Sequence, residues 1–128
     1  MDNFKFELND KYYRCFFELT LDIIGGKWKP IIIYLILCGV NRFGKINKII
    51  PECSKRMLTT NLRELEADSV INRKVYAEVP PKVIYTLTEL GKSIYPVYYN
   101  LGKWGIENIL EPEYKRKQEE KRKNENKG

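Results

Sequence analysis

SKRMLTTNLRELEAD, from Ser54 to Asp68, is the stretch on which the reading of this 128-residue chain turns. On a helical wheel at about 100° per residue, Lys55, Arg56, Thr59, Thr60 and Arg63 share an arc of roughly 140°. Leu58, Leu62 and Leu65 occupy another arc, at the i, i+4, i+7 spacing that docks a helix onto a core. Ser54 stands where an N-cap accepts from the Met57 backbone N–H, and Glu64, Glu66 and Asp68 crowd the far end. Cations in a first turn oppose the helix dipole, so helix stability does not ask for Lys55 and Arg56, whereas an anionic partner does. A solvated amphipathic helix shares this pattern, and the neighbouring segments have to decide between the two.

Those segments are basic. Between Arg42 and Lys82 there are nine Lys/Arg against five Asp/Glu, while residues 1–41 carry five of each and residues 83–110 two of each. The excess positive charge of the body therefore surrounds the Ser54 helix, as expected of a nucleic-acid binder. The tail, 111–128, adds seven Lys/Arg against five acids to complete the net charge of +6. The chain has no histidine, hence neither the commonest general base nor the commonest transition-metal ligand. Cys15, Cys38 and Cys53 are an odd count without C-x-x-C spacing, which points to neither a disulfide framework nor a zinc site. No cofactor, metal or catalytic residue is expected. No apolar run reaches the roughly 18–20 residues of a membrane span, and MDNFKFELND lacks the apolar region of a signal peptide. A cytoplasmic protein without a membrane partner is the expectation.

Upstream of the Ser54 helix, Arg42–Ile50 puts Phe43, Ile46, Ile49 and Ile50 on one helical face and Lys45 and Lys48 on the other, until Pro51 stops it. A short helix, the turn Pro51-Glu52-Cys53 and the Ser54 helix make a helix-turn-helix, whose second helix enters the DNA major groove. Tyr12–Ile24 reads as a broad apolar helix ended by Gly25-Gly26. Trp28–Leu37, apolar nearly all round, reads as a central core helix, since the pair at 42–68 needs a floor; a buried strand is the competing reading. Downstream, the period changes to two from Ile71 to Val79, and a β-branched run, KVIYTL, follows Pro80-Pro81. This predicts a hairpin with the prolines at its tip, made basic by Arg73, Lys74 and Lys82. A long helix, kinked by Pro96, is expected from Thr88 to Leu110, and a frayed helix or disorder from Glu111 onward, its charges solubilising or touching phosphates.

With these residues in place the chain resembles the HxlR-type branch of the MarR-like winged-helix transcription regulators. The resemblance rests on Cys15, IIGGKWK (Ile23 to Lys29), Arg42-Phe43, the Met57–Glu66 pattern M-L-T-x-x-L-R-E-L-E, the Asn72–Gly91 pattern N-R-x-V-Y-x-x-V-P-P-x-V-x-Y-x-L-T-x-L-G, and L-x-x-W-G from Leu101 to Gly105. It spans about residues 12–110 in the family's order. It implies an α+β, mainly α fold, a winged helix-turn-helix with N- and C-terminal dimerisation helices over residues 1–110, followed by a charged tail, 111–128. It further implies a homodimer on a palindromic double-stranded DNA operator, with an oxidant or small-molecule inducer, and a sensing role for the cysteine that Cys15 matches. Three departures stand out. Ser69 replaces a glycine before the first wing strand, so a left-handed turn there carries a steric cost. Glu52-Cys53 replaces glycine and an aliphatic residue, placing a thiol at the helix-turn-helix corner, and Pro30 is uncommon.

The DNA-binding residues expected are Lys55, Arg56, Thr59, Thr60 and Arg63 in the major groove, Arg73, Lys74 and Lys82 on phosphates or the minor groove, and also Arg42, Lys45 and Ser54. Cys38, ending the most apolar segment, is expected to pack in the core. Cys15, beside Arg14, and Cys53, before a helix N-terminus with Lys55 and Arg56 near, are the candidate redox sensors, because such surroundings lower a thiol's pKa. A winged-helix module that binds protein instead of DNA is the competing function. An enzyme is not expected, since no nucleophile–base set or phosphate loop is present.

Overall fold

A computed structural model describes residues 6–127, and in it the elements divide into two compact units, 1–93 and 94–128. The first opens with an antiparallel hairpin, β1 (Phe6–Leu8) and β2 (Lys11–Tyr13), where the sequence pattern reads as one helix from Tyr12 to Ile24. Asn9 and Asp10, both at positive φ, turn it, and an Asn-Asp pair tolerates two left-handed positions better than most residues. α1 starts only at Phe16 and runs to Ile24. Its start is set by Glu18, whose carboxylate accepts from the Arg14 backbone N–H at 2.6 Å and from the Arg14 guanidinium at 2.6 and 2.8 Å.

α2 (Lys29–Leu37) is the helix expected, with Pro30 in its first turn and Ile32, Ile33, Leu35 and Ile36 buried. α3 (Phe43–Ile49) follows, and α4 (Lys55–Ala67) packs against α2 and against α3. Ile46 from α3 and Leu58, Leu62 and Leu65 from α4 are sealed from solvent, so the leucine arc is the docking face. Asn47 donates from Nδ2 to the Cys53 carbonyl at 2.8 Å and Cys53 N–H to the Ile50 carbonyl at 3.0 Å, which fixes the turn between the two helices. The Ser54 hydroxyl accepts from the Met57 N–H at 3.1 Å, the predicted cap.

After α4, Ser69 takes φ 60°, the left-handed turn that glycine occupies more cheaply. β3 (Ile71–Tyr76) and β4 (Lys82–Leu87) then pair antiparallel, Ile71 opposite Leu87 and Tyr76 opposite Lys82, with both prolines in the connection between them. The Thr88 backbone N–H donates to the Val70 carbonyl at 3.1 Å, and the Thr88 hydroxyl lies 2.6 Å from the Ser69 carbonyl while accepting from Gly91 N–H at 3.0 Å. Gly91 itself lies against the Val70 carbonyl, where a Cβ would not fit. The short α5 (Glu89–Ser93) closes this unit.

The second unit holds α6 (Tyr95–Gly105), a π-helical stretch (Ile106–Leu110) and α7 (Glu111–Asn126). The single helix expected from Thr88 to Leu110 is interrupted before Tyr95, and Pro96 falls in the first turn of α6. A proline is tolerated there because first-turn N–H groups have no helical partner. The tail is a helix through Asn126, not a frayed end: Arg116 bridges Glu113 and Glu120, each at 2.7 Å, one turn to either side. Among the described residues no helix is long and apolar enough to cross a membrane.

Candidate nucleic-acid interface

The helix-turn-helix and the β3–β4 wing bring the predicted cations to the exposed side of the first unit. Arg42, the N-cap of α3, and Lys45 are exposed. So are Lys55, Arg56 and Arg63 on α4, on the arc that leaves the leucines to the core, and Arg73 and Lys74 on β3. Lys82 is half-buried at the start of β4. Among the described residues, none of these eight cations is held in an ion pair. Elsewhere Lys11, Arg14, Lys29, Lys92, Lys103 and Arg116 all are. Uncompensated cations gathered on one helix-turn-helix and its wing form a surface for an anion.

The hydroxyls are less free than the sequence suggested. Thr59 donates from Oγ1 to the Lys55 carbonyl at 2.8 Å and Thr60 to the Arg56 carbonyl at 3.0 Å, while the Ser54 oxygen serves the cap. In these bonds the threonines keep only acceptor capacity for a partner. Thr59 is moreover half-buried, in a cleft between α4 and the wing root.

Tyr76 is a wing residue that the sequence reading does not single out. Lys74 Nζ stands 5.0 Å and Lys82 Nζ 5.8 Å from its ring centroid, so one aromatic ring steadies two wing cations. The signal was available: Lys74 and Tyr76 share a strand face at i, i+2, and the hairpin register puts Lys82 across from Tyr76.

The thiols depart from expectation. Cys38, expected in the core, is exposed, because α2 ends there and its last residues leave the packed layer. Cys53, expected as a reactive thiol, is fully buried at the helix-turn-helix corner, and burial pushes its pKa up, against the lowering expected from the helix N-terminus. Its backbone, in the hydrogen bonds of the turn, positions α4. Cys15 is exposed at the start of α1, its side chain making no cap hydrogen bond. The cation expected to act on it, Arg14, is engaged by Glu18.

A polar cluster behind α4 has no counterpart in the sequence reading. Lys29, only 8% exposed, extends from α2 to Glu64 of α4, Nζ to Oε2 2.7 Å, and donates to the Asp22 carbonyl of α1 at 3.3 Å. The Asp22 carboxylate accepts from the Tyr13 hydroxyl at 2.7 Å and lies 3.4 Å from Lys11 Nζ. That hydrogen bond holds Asp22 below the usual carboxylate range and, aided by burial, raises Tyr13 to about 12.

This arrangement, a capped second helix with free cations behind a tight turn and followed by a basic hairpin, defines a winged helix-turn-helix regulator. A sequence model of the HxlR-like helix-turn-helix family matches residues 23–113, and the chain belongs to that family. It is 50% identical over 97 residues to the uncharacterised HTH-type transcriptional regulator YdeP of Bacillus subtilis, 76% of each chain being covered. A solved structure of HypR, a redox regulator, in its oxidised form superposes with a TM-score of 0.69 at 49% identity, covering 73% of this chain and 97% of HypR. The structure of the HTH-type regulator YtcD superposes with a TM-score of 0.71 at 45% identity, covering 75% of this chain and 98% of YtcD. The chain is thus a transcriptional regulator of the helix-turn-helix type, and its relatives and fold are those of regulators, not enzymes.

Proposed function

We propose that the chain binds a palindromic double-stranded DNA operator as a homodimer, α4 lying in the major groove and the wing against the backbone, with Cys15 as its oxidant-responsive thiol. The observation that carries the DNA reading is the set of cations on α3, α4 and the wing, which hold no ion pair among the described residues while the leucines of the same helix are buried. Leaving so many cations together is unfavourable for the free protein and favourable against phosphates. Lys55, Arg56, Thr59 and Thr60 face the bases, Arg42, Lys45, Arg73, Lys74 and Lys82 the backbone, and Ser54 caps the helix at the DNA surface.

Dimerisation is supported by exposed apolar side chains. Phe16, Phe17 and Leu21 on α1 are exposed, Phe17 to 77%, as are Leu101 and Trp104 on α6. Apolar surface of this kind marks an interaction face, and a second copy related by a two-fold axis supplies the same surfaces in return. Residues 1–110 are the working domain and 111–128 its charged extension. The thiol reading is supported by the exposure of Cys15 and by likeness to HypR, a redox regulator.

The test is binding of the full chain to duplexes from its own upstream region, with light scattering of the free protein at micromolar concentration. Arg56→Ala should weaken operator binding by about 1–3 kcal/mol and random DNA much less, and Lys82→Ala should weaken both alike. A monomer in solution, or no preference for any duplex, would refute the proposal and favour a protein-binding module.

A further inference from the structure

Between α4 and the root of the wing lies a cleft of about 270 Å³. Leu62 and Tyr85, both buried, and the half-buried Phe43 contribute to its lining. Its rim carries Arg63 from α4 and Arg73 from β3, with Glu66 and Thr59 beside them. The hairpin register places Arg73 directly across from Tyr85, whose backbone N–H donates to the Asn41 carbonyl at 2.9 Å, so the wing root is tied to the start of the helix-turn-helix. The two guanidiniums therefore come from separate elements held in fixed relation. Neither is paired with Glu66 or any other carboxylate among the described residues. Two guanidiniums and one carboxylate leave the rim with a charge of +1, equal and opposite to one phosphodiester. Within a cleft, where solvent is partly excluded, the attraction of both cations for an anion is stronger than on an open surface. Planar guanidiniums match phosphate oxygens in a fork geometry that lysine cannot reproduce.

We infer that this cleft is an anion site in which Arg63 and Arg73 together grip a single phosphate group. The inference rests on the DNA reading for its source, a phosphate of the duplex backbone, and it takes Arg63 away from the base-reading role its place on α4 suggested. A free phosphate or phosphomonoester offers the same chemistry from solution.

The experiment measures binding of operator and random duplex by the full chain and by Arg63→Gln, Arg73→Gln and the double variant, across salt concentrations, with thermal melts confirming that each is folded. Each single substitution is expected to weaken operator and random DNA by the same factor, roughly tenfold. Because both arginines serve one phosphate, the double variant should lose less than the product of the single losses, and its salt slope should fall by about 0.9 in total. A fall of about 1.8 with multiplicative losses would put the arginines on separate phosphates and overturn the inference. Loss confined to the operator at Arg63→Gln would make it a base reader and would overturn the inference equally. In a second arm, inorganic phosphate is titrated against chloride at constant ionic strength while the arginine Nε–H resonances of the wild type are followed by NMR. Shifts of both arginines that vanish for Arg63 in Arg73→Gln, with DNA binding untouched by the substitutions, would assign the site to a free anion and sustain the shared chemistry. No resonance shift and no loss of DNA binding would refute it. If the wild type binds no duplex at all, the DNA reading falls and the phosphate titration alone decides the site.

Discussion

Removing the carboxylate of Glu64 should destabilise the protein more than removing the ammonium it pairs with. Lys29 Nζ is 2.7 Å from Glu64 Oε2, but the two ends are unequally placed: the Lys29 side chain is 10% exposed and the Glu64 side chain 52%. In Glu64→Ala the ammonium stays where it is, hydrogen-bonded to the Asp22 carbonyl at 3.3 Å and attracted by the Asp22 carboxylate, neither of which replaces the lost direct pair. Stranding a fully buried charge costs about 3–5 kcal/mol. Water reaches the half-exposed Glu64 end, which reduces the penalty here to about 1–2 kcal/mol. In Lys29→Met the buried charge goes, a side chain of similar length remains to fill the space, and Glu64 is solvated, so the net change should lie within about 0.5 kcal/mol of zero. For a unit of this size about 1–2 kcal/mol corresponds to a fall in Tm of several degrees. Paired thermal melts of the two variants and the wild type at neutral pH make the measurement. If Lys29→Met falls as far as Glu64→Ala or further, attraction outweighs desolvation at this pair and the reasoning is wrong.

Iodoacetamide applied to the folded chain should label Cys15 and Cys38 and spare Cys53, whose thiol is buried with a raised pKa; mass spectrometry of the peptides reads it. Diamide should lower operator affinity in the wild type and leave Cys15→Ser unchanged, and an equal loss in Cys15→Ser would move the sensor elsewhere. Should Cys53→Ser also abolish the response, the corner must open to let Cys53 form a disulfide with Cys15, two thiols giving two electrons and two protons to the diamide. Tyr13→Phe removes a hydrogen bond held by the neutral phenol, whose folded pKa of about 12 exceeds the ordinary value of 10. The stability gap between wild type and variant should therefore be constant from neutral pH to pH 10 and close as pH rises through 12, and it should also shrink in acid, where Asp22, held low by the same hydrogen bond, takes up its proton; denaturant melts would show this, and a gap that widens in alkali would contradict it. Ser69→Gly should stabilise by about 0.5–1 kcal/mol, because relief of left-handed strain exceeds the added chain entropy; a lower Tm would show that the Ser69 side chain offsets its strain.

The helix-turn-helix and the wing were legible in the sequence because their signals are local. A leucine at every turn, a serine cap and a proline stop specify α4 and its turn, and alternation with β-branched residues specifies the hairpin. Ser69 was legible too, since a left-handed position is a property of one residue. The N-terminal hairpin had a local signal in Asn9-Asp10, but it was outweighed by the apolar spacing that runs from Tyr12 into α1. The tail helix is held by pairs spaced one turn apart around Arg116, a weak preference that composition alone reads as disorder. What only the tertiary structure decided are the facts that depend on distance between elements. The burial of Cys53 and the exposure of Cys38 follow from how α2, α3 and α4 pack, whereas sequence shows only their neighbours in the chain. The Lys29–Glu64 pair joins residues 35 positions apart, and Arg63 and Arg73 meet at one cleft because a strand returns beside the helix. Residue type determines what charge, length and propensity each position offers; packing determines which of those groups water can still reach, and so which remain available to a partner.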